Sequence, residues 1–178
     1  GEEGMRRRVC VGLAARYAAR GRAATLLGAA TVSFVVVEGN GAVEIVGEPR
    51  FRRYYLPAIV EACDVLHAAG KLAGAHLDAN NRALAPLIAE TSLDFIESHT
   101  PPPDCDLTVA DARRIWAGKG IVCNFPSSVH HHGPDAVRQL ARQLLAEAAP
   151  GQGFALGIVE NIPRTDTMVP DGLDERDH

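Results

Sequence analysis

The feature that most constrains this chain is an alternation of short strand-like runs with longer segments of helical periodicity. "TVSFVVVEG" (31–39), "KLAGAHLD" (71–78), "SLDFIES" (92–98), "GIVCNF" (120–125) and "FALGIV" (154–159) read as strands. Helical signals fill the gaps. Residues 5–28, rich in Ala, Arg and Leu, predict a leading helix by propensity. Phe51, Tyr55, Ile59, Ala62, Leu66 and Ala69 recur at helical spacing, with Pro57 at the first turn of a second helical piece and Gly70 as the stop. A further helix is expected near "NRALAPLIAE" (81–90), with Pro86 as an irregularity. Thr108 and Asp111 look like a capping box that opens "VADARRIW" (109–116), which Gly118 stops. Pro134 starts a helix with Val137, Leu140, Ala141, Leu144 and Leu145 on one side.

Strand–helix alternation implies parallel strands joined by right-handed crossovers, hence an α/β architecture of about five parallel strands. The choice between a doubly wound sheet and a barrel turns on the strand ends. No Gly-x-Gly-x-x-Gly follows any strand and no phosphate-binding loop occurs, which removes the commonest reason to choose a nucleotide-binding sheet. In "AGAHLDANN" an apolar run ends in His76 and Asp78, two positions apart and so on one face of a strand, with Leu77 turned away. By the same alternation Leu93, Phe95 and Glu97 share a face, as do Phe154, Leu156, Ile158 and Glu160. Ionisable groups at the carboxyl ends of several strands are what a (βα)8 barrel uses for its chemistry, so a barrel is the favoured reading.

Composition narrows the partners. With 178 residues, 47% of them hydrophobic, the chain reads as one soluble globular unit with a sizeable core. A net charge of −4 argues against a general nucleic-acid binder, and Arg6, Arg7 and Arg8 read as a solvated helix face. The four cysteines (Cys10, Cys63, Cys105, Cys123) form no CxxC pair, which fits reduced thiols in a cytoplasm. No apolar stretch reaches membrane-spanning length and no signal segment opens the chain, so no membrane partner is expected.

"EPRFRRYYLPAIVEACDVLHAAGKLAGAHLDAN", "ETSLDFIES", "GIVCNFPSSVH" and "GFALGIVENIP" resemble, in order and spacing, the C-terminal half of the uroporphyrinogen decarboxylase superfamily. That superfamily includes the decarboxylase, the corrinoid-dependent methyltransferases and the catalytic domain of cobalamin-independent methionine synthase. The resemblance covers about 31–163 and implies a partial (βα)8 TIM barrel over 1–163. Residues 164–178 are polar and lack helical periodicity, so a disordered tail is expected there, where the family has a closing helix. It also implies a metal-assisted decarboxylase or a one-carbon (methyl) transferase, acting on a small carboxylate or tetrapyrrole-like substrate. Position by position, His76 resembles the histidine of the methyltransferases' His-x-Cys zinc motif, with Asp78 where the first thiolate stands. Glu97 falls where methionine synthase has a glutamate ligand, and Glu160 where its last cysteine lies. One imidazole and three carboxylates make a harder site than thiolates do, suited to Zn²⁺, Mn²⁺ or Fe²⁺.

The residues leave other readings open. His76 alone fits a hydrogen-bonded core histidine, and Asp78, Glu97 and Glu160 fit a metal site, a proton-sharing acid/base cluster or unrelated surface carboxylates. In the acid/base case Asp78, Glu97 and Glu160 carry the catalysis. Asn80, Asn81 and Asn124 read equally as helix caps or contacts to substrate, and Asn161 and His130 join the candidate substrate contacts. His130, His131 and His132 otherwise read as an exposed loop. Cys123 is expected in the core, Cys105 in a loop and Trp116 on the packing face of its helix.

A complete (βα)8 barrel takes roughly 250 residues at about 30 per unit, so about two or three units are missing. The family pattern puts them at the N-terminal side, which implies a fragment or a split gene. An arc of five strands exposes an apolar inner face and unpaired edges, so self-association or a missing N-terminal half is expected to cover them. A degenerate half-barrel acting as a non-catalytic binding subunit is the rival reading.

Overall fold

The computed structural model describes residues 33–37 and 43–158. The expected leading helix over 5–28, the tail, Glu160 and Asn161 all lie outside the described residues. Five strands form one sheet: β1 (Phe34–Val36), β2 (Leu72–His76), β3 (Phe95–His99), β4 (Gly120–Phe125) and β5 (Phe154–Ile158). All four pairings are parallel and the order is β1-β2-β3-β4-β5, without the reversal that marks a doubly wound sheet. The expected α/β class with five parallel strands is therefore observed.

Helices connect the strands. Between β1 and β2 come α1 (Val43–Val46), α2 (Glu48–Arg50), a π-helical turn at Phe51–Tyr55, and α3 (Leu56–Ala68). Then follow α4 (Ala85–Ala89), α5 (Val109–Ile115), a 3-10 turn at Ser127–His132 and α6 (Pro134–Ala148). Among the described residues no helix is long and apolar enough to cross a membrane.

Local chemistry sets most boundaries. Pro134 stands in the first turn of α6, where the missing N–H would be unpaired anyway. Pro57 stands in the first turn of α3, directly after the π-helical turn. Pro86 occupies the same kind of position in α4, so it starts that helix rather than disturbing it, and the helix is five residues long, not ten. The Thr108 side chain accepts a hydrogen bond from the Asp111 backbone N–H at 3.1 Å, capping α5 as its sequence indicates. Gly70 and Gly118, at φ 68° and 87°, follow α3 and α5 in a backbone conformation that strains other residues. On α6 the buried pair is Leu144 and Ala148, whereas Leu145 points to solvent. The packing stripe is narrower than the sequence pattern implies.

The sheet has two unlike faces. Ala73, Ala75, Ile96, Ile121, Cys123 and Phe125 are buried in the core with Ile59, Ala62, Cys63 and Leu66 of α3 and Val109 and Ala112 of α5. The Trp116 ring is buried just beyond α5 and its indole N–H donates to the Ala85 carbonyl at 3.0 Å, tying α5 to the start of α4. Polar ties also pin the amino ends of the strands. The Asp94 carboxylate accepts from the Ala73 N–H at 2.7 Å and pairs with His67 at 2.8 Å, and Lys119 donates to the Thr91 and Leu93 carbonyls at 2.6 and 2.9 Å.

The opposite face carries Phe34, Val36, Leu72, Gly74, His76, Phe95 and Glu97, which the register sets side by side. Phe34 and Leu72 are 57% and 52% exposed on this face. Phe95 lies over Gly74 and packs edge-on against Phe34 at 5.6 Å between ring centroids.

The parity expected for β5 is corrected. Phe154, Leu156 and Ile158 pair with Ile121, Cys123 and Phe125, which places them on the helix side of the sheet and not with His76 and Glu97. Parity within one strand is local, whereas the face a strand presents depends on its neighbour's register.

A β-carbon at residue 74 would stand 2.1 Å from the Phe95 ring. Gly74→Ala is therefore expected to destabilise the fold by roughly 1–3 kcal/mol through overpacking. Urea unfolding should show this loss, and Phe95→Leu in the same chain should recover part of it. Equal stability of Gly74→Ala and wild type would mean that the β2–β3 contact is not as close as described.

Candidate acid/base site

The site grows from the pairing of β2 with β3. His76 is the last residue of β2 and stands opposite Glu97, so their side chains leave the same face at the carboxyl end of the sheet. The His76 Nδ1 donates to the Glu97 Oε2. On the other side of the ring, His76 Nε2 lies 3.3 Å from Asp78 Oδ2. Asp78 is beyond the end of β2, and its carboxylate turns back onto the imidazole. The structure thus brings together three of the four residues singled out at strand ends.

The second Glu97 oxygen is also engaged. Ser98 Oγ donates to Glu97 Oε1 at 2.6 Å. This contact depends on an irregularity in β3, where Ile96 pairs with Ile121 but His99 pairs with Cys123. Three steps along β3 thereby match two along β4, which is a β-bulge at Glu97 and Ser98. Ser98 has φ 61°. The bulge turns His99 away from the row that Phe95 and Glu97 begin and into the helix side, where its ring meets Trp116 edge-on at 5.5 Å.

The charges follow from these neighbours. Burial works against the His76 imidazolium, but the hydrogen bond to Glu97 and the Glu97 and Asp78 charges outweigh it and raise the pKa above the ordinary histidine range. His76 is consequently an acid that stays protonated further up the pH scale than a free imidazole. His99 has the reverse setting. It is fully buried, neither ring nitrogen has a partner, and burial pushes its pKa down to about 4, against a weaker opposing effect of the Asp106 carboxylate.

The loop after Asp78 is fixed by backbone contacts. The Asn81 side-chain amide donates to the Leu77 and Ala79 carbonyls at 2.9 and 2.8 Å, and Asp106 Oδ1 accepts from the Asn81 and Arg82 N–H groups at 3.0 and 3.1 Å. Asn81 thus folds its own turn. Asn80 stands half-buried beside it, and the Cys105 thiol, in the loop after β3, donates to the Asp78 carbonyl at 3.2 Å. Asn124 is half-buried near the end of β4, one strand beyond Glu97. His130 lies on the 3-10 turn with its ring tilted against Phe125 at 5.3 Å, a helix-side residue, and its Nε2 is buried without a partner. His131 and His132 are exposed as expected, but all three histidines stand on the 3-10 turn rather than in an irregular loop, and His130 is half-buried.

A metal does not fit this arrangement as it stands. Each nitrogen of His76 faces a different carboxylate, so Glu97 and Asp78 approach the ring from opposite sides rather than converging on one point. Among the described residues no group of three or more His, Cys, Asp and Glu side chains is placed to hold a metal ion.

The sequence carries no sign of the roles of Ser98, His99 and Asp106, and it marks Cys105 only as a loop thiol. Ser98 and His99 gain their places from the bulge, which has no local sequence signal. Cys105 and Asp106 meet the site through a loop whose path is set by tertiary contacts.

Because His99 has its pKa depressed on folding, the unfolded chain binds the extra proton between about pH 6.5 and 4. Its contribution is fully present above about pH 6.5 and lost as pH falls through 4, amounting to about 3 kcal/mol. His99→Leu should therefore flatten the fall in unfolding free energy over that window relative to wild type; parallel curves would show that His99 is not held neutral. Comparison with family models, curated proteins and solved structures returned no match, so the site is characterised by its own geometry.

Proposed function

We propose that the chain is part of a lyase of the uroporphyrinogen decarboxylase type, built on a partial (βα)8 barrel and acting on a small carboxylate. The observation that carries the reading is His76 held between Glu97 and Asp78 at the carboxyl ends of two adjacent parallel strands. The uninterrupted strand order is the one a barrel requires, and barrels place their chemistry at this end.

An imidazolium with a raised pKa suits the protonation step of a decarboxylation. Loss of CO₂ leaves the bonding electron pair on carbon, and that carbon must take a proton. His76 Nε2 would supply it, becoming neutral imidazole and recovering a proton from solvent through Asp78, whose side chain is 45% exposed. Glu97 holds the Nδ1 side and compensates the positive charge. Methyl transfer to a thiol asks instead for a base or a thiolate-activating metal, which an imidazolium between carboxylates supplies less well. A Zn²⁺, Mn²⁺ or Fe²⁺ ion would need one carboxylate to leave the ring, so no step here is routed through a metal.

The exposed Phe34 and Leu72 favour a second reading, a half-barrel that binds a partner without catalysis. Assays for CO₂ release from uroporphyrinogen and small dicarboxylates, and for demethylation of methylcobalamin, separate the two. Decarboxylation should fall by roughly 10²–10⁴-fold in His76→Ala. Turnover that His76→Ala leaves intact would dispose of the proposed acid, and metal lost from the protein on the same substitution would restore the metal-assisted reading.

A further inference from the structure

We propose that Ser98 is a positioning residue that fixes the Glu97 carboxylate against His76, an inference that rests on reading His76 and Glu97 as an acid/base pair. Three features converge on Ser98. It is the one non-glycine residue at positive φ among those described. It occupies the bulge that separates the Ile96 and His99 registers. Its hydroxyl donates at 2.6 Å to the Glu97 oxygen that His76 leaves unused.

A side chain at φ 61° is disfavoured unless the surroundings hold it there, and such positions gather at functional sites. Glycine would adopt that backbone without strain. What glycine cannot do is donate a hydrogen bond to Glu97. Ser98 is only 4% exposed, and its carbonyl accepts from Thr100 Oγ1 at 3.1 Å, so the strained turn is braced from the other side. With one oxygen on His76 and the other on Ser98, the plane of the Glu97 carboxylate is fixed. Without the hydroxyl the carboxylate can rotate, and its hold on the imidazolium weakens.

The bland alternative is that the bulge serves only to turn His99 into the core, with Oγ bonded to the nearest acceptor. The His76 imidazole distinguishes the two, because a purely architectural serine would not affect its titration. Nitrogen NMR of the His76 ring across pH would be recorded in wild type, Ser98→Ala, Ser98→Gly and Glu97→Gln. Glu97→Gln should lower the His76 pKa by removing the charge that supports it. Ser98→Gly and Ser98→Ala should both lower it by about half a unit, since half a unit is the scale of one weakened contact to a charged group. Ser98→Gly should also melt above Ser98→Ala, because glycine relieves the backbone; if the alanine variant fails to fold, the glycine variant carries the test alone.

Unchanged His76 titration in Ser98→Gly, with a shift in Glu97→Gln, overturns the role of Ser98 and leaves the acid/base pair intact. No shift in Glu97→Gln removes the pair itself, and the positioning role with it.

Discussion

The structure depends on the register between β2 and β3. That pairing puts Gly74 opposite Phe95 and His76 opposite Glu97, so one alignment both packs the aromatic ring and assembles the charged pair. The two consequences are linked because they lie on the same face two residues apart. A slip of one residue would send Glu97 to the helix side, where a carboxylate would meet the apolar core instead of an imidazole. Packing enforces the register: Ala73 and Ala75 leave room for α3 on one side, and the bare Gly74 leaves room for Phe95 on the other.

The two ends of the sheet are built differently. At the amino end the polar side chains are already engaged: Asp94 takes the Ala73 N–H and the His67 ring, and Lys119 takes two carbonyls. Those groups tie strands to helices and have little left to offer a ligand. At the carboxyl end, Asp78 and Glu97 engage a side chain rather than the backbone, and ring nitrogens of His99 and His130 remain unpaired. Chemistry in parallel α/β sheets belongs at that end because loops there can vary without disturbing the core.

Two histidines show how far environment decides proton affinity. His76 and His99 have the same side chain, yet one is lifted by two carboxylates and the other is pushed down to about 4 by burial without a partner. The β-bulge accounts for the division. Without it, His99 would continue the row of Phe95 and Glu97 toward the charged face. With it, Ser98 takes the turn and His99 joins Trp116.

The sequence by itself determined the local features. Five strand-length runs, the Pro57 and Pro134 helix starts, the Thr108 cap and the stops at Gly70 and Gly118 each depend on a few neighbouring residues, and each is present. The proximity of His76 and Asp78 was legible for the same reason, since two positions along a chain ending a strand lie close together. Glu97 was legible as an ionisable group at a strand end, but not as the partner of Nδ1. Only the tertiary structure decided the strand order, the bulge at Ser98, the helix-side placement of Phe154, Leu156 and Ile158, and the burial of His99. Each of these depends on which residue of one strand stands beside which residue of another. Alternation along one segment carries no record of its neighbour's phase, and a single inserted residue reverses it.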